Sequence, residues 1–327
     1  MMPMENYILP LYPTKSPTPR RVPECLITLA DGSELDLAEL DLAELAELQY
    51  EQEVAFAEQI RRSRKGSAER REAVQQAYDT VCTILAQMSP TSANLVMGLD
   101  QRYVQLVLRL LQSARRRHAD VPRMFEIGYG CGALLAEVAA AGYEVAGIEV
   151  SAAMRAQALP IMPPDAHEQL LLGDFLQQDM RPLAGRFDLV YWNDVFEHVP
   201  PDEIRDYLAQ ISSLLRPGGT LVTITPNWHE RPSDVTSDFC PPRTPARGLH
   251  LKEYSLGEVT SLLREAGFAR VETPLVVLPH NIYLGLGGLA PLKRFCEPAL
   301  EYLPFRLARL MVHGFGYAYT IAHKPAR

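Results

Sequence analysis

The segment Glu126-Ile127-Gly128-Tyr129-Gly130-Cys131-Gly132-Ala133 limits what this chain can become more than any other. It follows a short apolar run, Arg123 to Ile127, and precedes a helical one, Ala133 to Ala141. Glycines at this spacing let the backbone turn sharply and bring its amides close to a ligand at the N-terminal end of a helix. Glu149 stands 21 residues past Gly128, at the end of the next expected strand, Glu144 to Val150. A carboxylate there can accept both hydroxyls of a ribose. Taken alone, the pattern describes a nicotinamide dinucleotide site equally well, and a tight turn that holds no ligand is the plain alternative.

Three features separate these readings. Glu126 precedes the first glycine by two residues, where a carboxylate suits a cationic ligand and repels a pyrophosphate. Asp174-Phe175 follows a third expected strand, Gln169 to Leu172, so an acid can meet an adenine amino group while a ring stacks on the base. The third is the segment Asn193-Asp194-Val195-Phe196-Glu197-His198-Val199-Pro200-Pro201, which follows a fourth strand, Phe187 to Trp192.

The rest of the chain continues the alternation. An amphipathic helix carries Ile204, Tyr207, Leu208, Ile211, Leu214 and Leu215 on one face, and a fifth strand spans Gly219 to Ile224. Ser255 and Glu258 form a capping box opening a helix that Gly267 closes. A sixth strand starts at Val271 and a last one spans Tyr317 to His323. Strands alternating with helices imply a doubly wound α/β fold, its mostly parallel sheet covered on both faces.

On these residues the sequence resembles the class I S-adenosylmethionine-dependent methyltransferases, specifically the group acting on small molecules, over roughly residues 120 to 275 plus the last strand. The resemblance implies a Rossmann-like methyltransferase fold of seven strands with an antiparallel final strand. It implies that Glu126, Gly128, Gly130 and Gly132 hold the methionine part of the cofactor S-adenosylmethionine. Glu149 would bind the ribose, Asp174 with Phe175 the adenine, and Asn193 the methionine end. The implied reaction is in-line transfer of the methyl group to an O, N or C atom of a metabolite, in biosynthesis. A protein or RNA methyltransferase, or a cofactor-binding protein without activity, are the alternatives.

Acceptor-side candidates are His250, His198 and Asp194; Tyr129, Trp228 and His229 are weaker ones. Each histidine has a bland reading, in which it merely orients its loop. Methyltransferases acting on base or glutamine amino groups typically carry (Asn/Asp)-Pro-Pro-(Tyr/Phe) after the fourth strand, and Asn193-Asp194-Val195-Phe196 departs from that pattern. No HExxH or comparable spacing suggests a metal.

The chain has 327 residues, more than this unit needs. Residues 1–24 read as a Pro-rich arm and 25–118 as a mainly helical N-terminal extension with a small hairpin around Asp31-Gly32. The cofactor domain is expected over 119–327, with a lid loop at 228–250 and a helical insertion at 281–313 before the last strand. The N-terminal segment and that insertion are expected to cover the substrate pocket, although the insertion's basic amphipathic character also suits a membrane surface.

A net charge of −8 disfavours nucleic-acid binding by general phosphate attraction. It hides a segregated N-terminus, with ten acids and no Lys or Arg in 31–60, followed by Arg61, Arg62, Arg64, Lys65, Arg70 and Arg71. These blocks are expected to be solvated helix faces that pair with each other. Five scattered cysteines, no CxxC pair, no signal peptide and no long apolar span suggest a cytoplasmic protein without stable membrane insertion. Its oligomeric state is left open.

Overall fold

The structure, a computed structural model, describes residues 26–88, 100–117, 119–276, 282–283 and 289–326, so the expected Pro-rich arm lies outside the described residues. It opens with a hairpin of β1 (Leu26–Thr28) and β2 (Glu34–Asp36), paired antiparallel across Asp31-Gly32. Two long helices follow, α1 (Leu42–Arg62) and α2 (Ala68–Met88). Asp41 starts α1: its side chain accepts from the Ala43 and Glu44 amides, and Glu44 closes a capping box. The two helices pack through Phe56, Ala57 and Ile60 against Ala73, Ala77 and Val81, with Leu249 and Leu251 completing the cluster.

Next come α3 (Gln101–Arg115), β3 (Arg123–Ile127), α4 (Ala133–Ala140), β4 (Glu144–Glu149), α5 (Ala152–Ala158) and β5 (Leu170–Leu172). Then follow β6 (Phe187–Asn193), α6 (Ile204–Leu214), β7 (Leu215–Ile224), a short α7 (Thr236–Phe239), α8 (Leu256–Glu265) and β8 (Arg270–Glu272). A small hairpin of β9 (Leu275–Val276) and β10 (Ile282–Tyr283), α9 (Leu289–Cys296), α10 (Phe305–Phe315) and β11 (Tyr319–His323) are the last elements among the described residues.

The main sheet has seven strands in the order β5-β4-β3-β6-β7-β11-β8. Strands β5 to β7 run parallel, and β11 inserts antiparallel between β7 and β8. The expected doubly wound α/β sheet is therefore present. One core, built on Phe125, Trp192, Phe196, Leu208 and Ile211, fills one face of the sheet. A second, with Val107, Leu111, Leu135, Val138 and Tyr191, fills the other. Helix α3, which the sequence groups with the N-terminal helices, belongs to this second core beside α4.

Strand order reverses between β3 and β6, so the chain leaves these neighbours in opposite directions at their carboxyl ends. In open α/β sheets such a switch point leaves a crevice for ligands. Helix α2 covers it. Its Arg70 reaches Asp202 and Glu203 at 2.8 and 2.9 Å, and Lys65, just before it, pairs with Asp206. The basic block thus does not pair mainly with the acidic one as expected. Arg62 meets Glu58, but Arg70 and Lys65 bind the start of α6.

The insertion around α9 and α10 packs elsewhere. Buried Glu297 accepts from the Gly257 and Leu256 amides, capping α8, and from Asn227 Nδ2 at 2.9 Å. On its outer side Leu292, Phe295, Tyr302, Leu307, Leu310 and Phe315 are exposed. No helix among the described residues is long and apolar enough to cross a membrane.

Candidate active site

A cavity of about 710 Å³ fills the crevice at the carboxyl ends of β3 to β6. Its floor includes Gly128, Gly130, Glu149, Asp174 and Asn193, and its roof is α2, with Val74, Tyr78, Val81 and Leu85. Asp234, Val235, Leu249 and His250 form a further wall.

The glycine turn is shaped by close packing. Gly128 has φ +68°, and a Cβ there would stand 2.6 Å from Val195 Cγ2. Gly132 has φ +76°, and a Cβ would stand 2.8 Å from Ala158 Cβ. Only glycine suits positions that combine a left-handed backbone with such contacts.

Glu149 lies just beyond the turn and is buried. Its Oε2 accepts from the Gly130 amide at 2.8 Å, and Oε1 accepts from Val150 and Ser151 at 2.9 and 3.0 Å. Burial raises its pKa, and these three donors oppose the rise. Glu126 lies beneath, on β3. Burial, and then the charge of Glu149, push its carboxyl well above the usual range, and its Oε2 has no hydrogen-bond partner. Neither Glu126 nor Gly132 lines the cavity, so of the residues expected at the methionine end only Gly128, Gly130 and Asn193 face it directly.

Asp174 Oδ1 accepts from the Leu176 amide at 2.7 Å, fixing the turn after β5. Phe175 is buried against Phe125 and Tyr207, with ring centroids 6.4 and 5.3 Å away. Asn193 Nδ2 donates to Asp194 Oδ2 at 2.8 Å, while its buried Oδ1 has no partner. Asp194 itself sits at φ +51°, an uncommon conformation that turns the chain sharply at the end of β6.

The turn after Asp194 and the approach to α8 bring His198 and His250 together, edge to face, with ring centroids 4.7 Å apart. His198 Nδ1 donates to Leu249 O at 3.0 Å. Burial, and then the nearby charge of His250, lower its pKa to about 3. His250 Nδ1 faces Ser233 Oγ at 3.2 Å and Glu253 Oε1 at 3.5 Å, and Nε2 faces Glu197 Oε1 at 3.9 Å. Burial opposes protonation of His250, but Glu253, Glu197 and Asp234 outweigh it and raise the pKa to about 9. Glu197 is fully buried, which pushes its carboxyl up to about 7. Its Oε2 accepts from Thr225 Oγ1 at 2.9 Å.

The sequence reading names His198, His250 and Asp194 but misses Glu197, Glu253, Ser233 and the roof residues. Glu197 stands beside His198 in the chain, yet no local pattern shows that its carboxylate is buried. Trp228 and His229 lie away from the cavity: Arg231 stacks on Trp228 at 3.8 Å, and His229 pairs with Glu301 at 3.0 Å. None of the described residues of the 281–313 insertion lines the cavity, whereas α2 of the N-terminal segment does.

Comparison with known proteins fits this architecture. The family described as "Methyltransferase domain" matches residues 98–273. An uncharacterized methyltransferase of Geobacillus kaustophilus is 33% identical over 130 residues, covering 39% of this chain and 58% of that protein. Another from Alkaliphilus oremlandii is 31% identical over 141 residues, covering 42% and 62%. The chain therefore spans less than two thirds of the length of either relative. Among solved structures, phosphoethanolamine N-methyltransferase 2 of Haemonchus contortus, bound to S-adenosyl-L-methionine, aligns with TM-score 0.49 at 17% identity. That alignment covers 80% of this chain and 61% of that one, a distance at which nothing about its substrate transfers.

Proposed function

The chain belongs to the methyltransferase domain family, and on that premise we propose that it transfers a methyl group from S-adenosylmethionine to an O, N or C atom of a small, partly apolar metabolite. The observation that carries this reading is the cavity at the switch point, with acids on its floor and an apolar stretch of Val74, Tyr78, Val81 and Leu85 in its otherwise polar roof, within the usual size range of small-ligand pockets.

The residues fit the cofactor. Asn193 Oδ1, which has no partner, and the Glu149 carboxylate line the cavity and suit a ligand bearing ammonium, sulfonium and ribose hydroxyls, and Glu149 disfavours a pyrophosphate. Glu149 would accept from the ribose and Asp174 would meet the adenine edge beside Phe175. Gly128 and Gly130 would bring backbone against the methionine part, above Glu126 and Gly132. When bound, the cofactor supplies a methyl group on a positively charged sulfur.

The chain's own task is placement. Holding an acceptor atom about 3 Å from its target and excluding water can supply about 7–11 kcal/mol of a barrier. Helix α2 excludes water from above, and Val74, Val81 and Leu85 favour an acceptor with an apolar part. His250 and Glu197 place an imidazole and a carboxylate where an acceptor's proton could go, with His198 and Asp194 as neighbours. The four described cysteines are all unpaired, which suits a cytoplasmic setting.

Titration calorimetry with S-adenosylhomocysteine tests the site. The expected result is one-to-one binding that Glu149→Ala weakens by about 100-fold, as two charge-assisted hydrogen bonds of about 1.5 kcal/mol each would require. Undiminished affinity in a folded Glu149→Ala protein overturns the assignment. Labelled methyl transfer to a metabolite extract then separates an enzyme from a cofactor-binding protein.

A further inference from the structure

We propose that Glu197, His198 and His250 form a binding site for one divalent first-row transition-metal ion on the acceptor side of the cavity. One ligand atom from each residue lies within 4.8 Å of the other two. Metal–nitrogen and metal–oxygen bonds of about 2.0–2.2 Å put tetrahedral ligand atoms roughly 3.3–3.6 Å apart, so the widest pair has to close by up to about 1.3 Å, roughly 0.7 Å of side-chain rotation for each atom.

Three observations distinguish the cluster from an ordinary buried ion pair. First, Glu197 Oε1 is buried in a fully buried residue and has no hydrogen-bond partner. The 3.9 Å separation from His250 Nε2 is too long to satisfy it. Second, each ligand is oriented from behind. His198 Nδ1 is held by Leu249 O, His250 Nδ1 by Ser233 and Glu253, and Glu197 Oε2 by Thr225. This leaves Nε2 of each imidazole and Oε1 of Glu197 as the atoms available to an ion. Metal-bound histidines almost always have their other ring nitrogen tied to a carbonyl or carboxylate in this way. Third, His198 and His250 both line the cavity, so an ion there would have open positions facing a ligand.

Two imidazoles and one carboxylate with open positions select Mn²⁺, Fe²⁺, Co²⁺ or Zn²⁺ over the harder Mg²⁺ and Ca²⁺. Such an ion polarises an oxygen bound to it and lowers the pKa of a bound hydroxyl. The substrate class thereby narrows to acceptors that offer a hydroxyl oxygen. That narrowing rests on the methyl-transfer reading, whereas the metal site stands on its own geometry.

The test is a Co²⁺ titration of the full chain after stripping with chelator, followed by visible absorption. The expected result is a ligand-field band that saturates at one ion per chain and is displaced by Zn²⁺. His250→Ala and Glu197→Gln should each weaken binding by more than 10-fold while the circular dichroism spectrum stays unchanged. Glu253→Gln, acting from behind His250, should weaken it about 10- to 100-fold. The absence of a saturable band in the unmodified chain overturns the proposal, and so does an unchanged titration curve in both ligand variants. S-adenosylhomocysteine binding, measured on the same stripped sample, keeps the two readings apart. S-adenosylhomocysteine binding without Co²⁺ binding refutes the metal site alone, and the converse refutes the cofactor site alone.

Discussion

Arg70 Nη1 stands 2.9 Å from Glu203 Oε1, with both side chains almost fully buried, so a single guanidinium ties the helical roof to the start of α6. Glu203 also accepts from the Gly66 amide at 3.0 Å, and Arg70 donates to Ser63 O. Removing one member of a buried pair leaves an uncompensated charge and typically costs about 3–5 kcal/mol. Arg70→Met should therefore lower the unfolding free energy by about that amount in urea denaturation. A loss below about 1 kcal/mol would show that the pair contributes little.

Gly128→Ala tests the glycine turn. The new methyl group would meet Val195 Cγ2 at 2.6 Å, and the backbone would be held at φ +68°. Strain of each kind costs roughly 1–3 kcal/mol. Adding Val195→Ala relieves the contact but not the dihedral, so the double variant should recover only part of the stability. Full recovery would mean that the left-handed backbone costs alanine nothing here. Thermal denaturation of the three proteins decides it.

His250→Ala should lower kcat by about 10²- to 10⁴-fold, the usual range for a residue that moves a proton or holds the reacting group. Affinity for S-adenosylhomocysteine should stay within about threefold, because the described contacts of His250 are to Ser233, Glu253, Glu197 and His198 rather than to the glycine turn. Equal losses in kcat and in affinity would mean that the residue only shapes the cavity.

Lys293 sets a pH dependence far from the cavity. Burial lowers its pKa from the ordinary 10.5 to about 8, while its Nζ donates to Pro274 O at 2.6 Å. Between those values the unfolded chain carries a proton that the folded chain has lost. Stability should therefore rise with pH across roughly pH 8 to 10.5, by an amount on the order of 3 kcal/mol at most. Below pH 8 both states hold the proton and the slope from this group vanishes. Lys293→Met should flatten the difference, and a parallel profile in the variant would locate the slope elsewhere.

The sequence was most legible where local chemistry decides the outcome. Strand β3 spans Arg123–Ile127 as expected, because an apolar run stopped by glycines has few other options. The box of Ser255 and Glu258 caps α8 as expected. Strand β7 begins at Leu215 instead of Gly219, since Leu215 pairs with Phe187 across a register shift that Pro217 and the glycines conceal. The β9–β10 hairpin leaves no signal in the sequence, because two-residue strands carry no periodicity. At the site, single-segment features such as the glycine turn and Glu149 could be read, while Glu197, Glu253 and Ser233 could not. Their proximity to His250 arises only when the turn after β6 meets the loop before α8. Metal-ligand spacing is invisible for the same reason, as the three residues come from two distant segments.

Strand β11 lies between β7 and β8 although it is made after both. A ribosome that has released residues through Glu272 has thus produced a sheet with β7 as an open edge and β8 without its neighbour. Exposed strand edges invite pairing with other chains. The interval before Tyr319–His323 emerges is therefore when a nascent chain is most in need of chaperone protection, because only that strand joins β7 to β8.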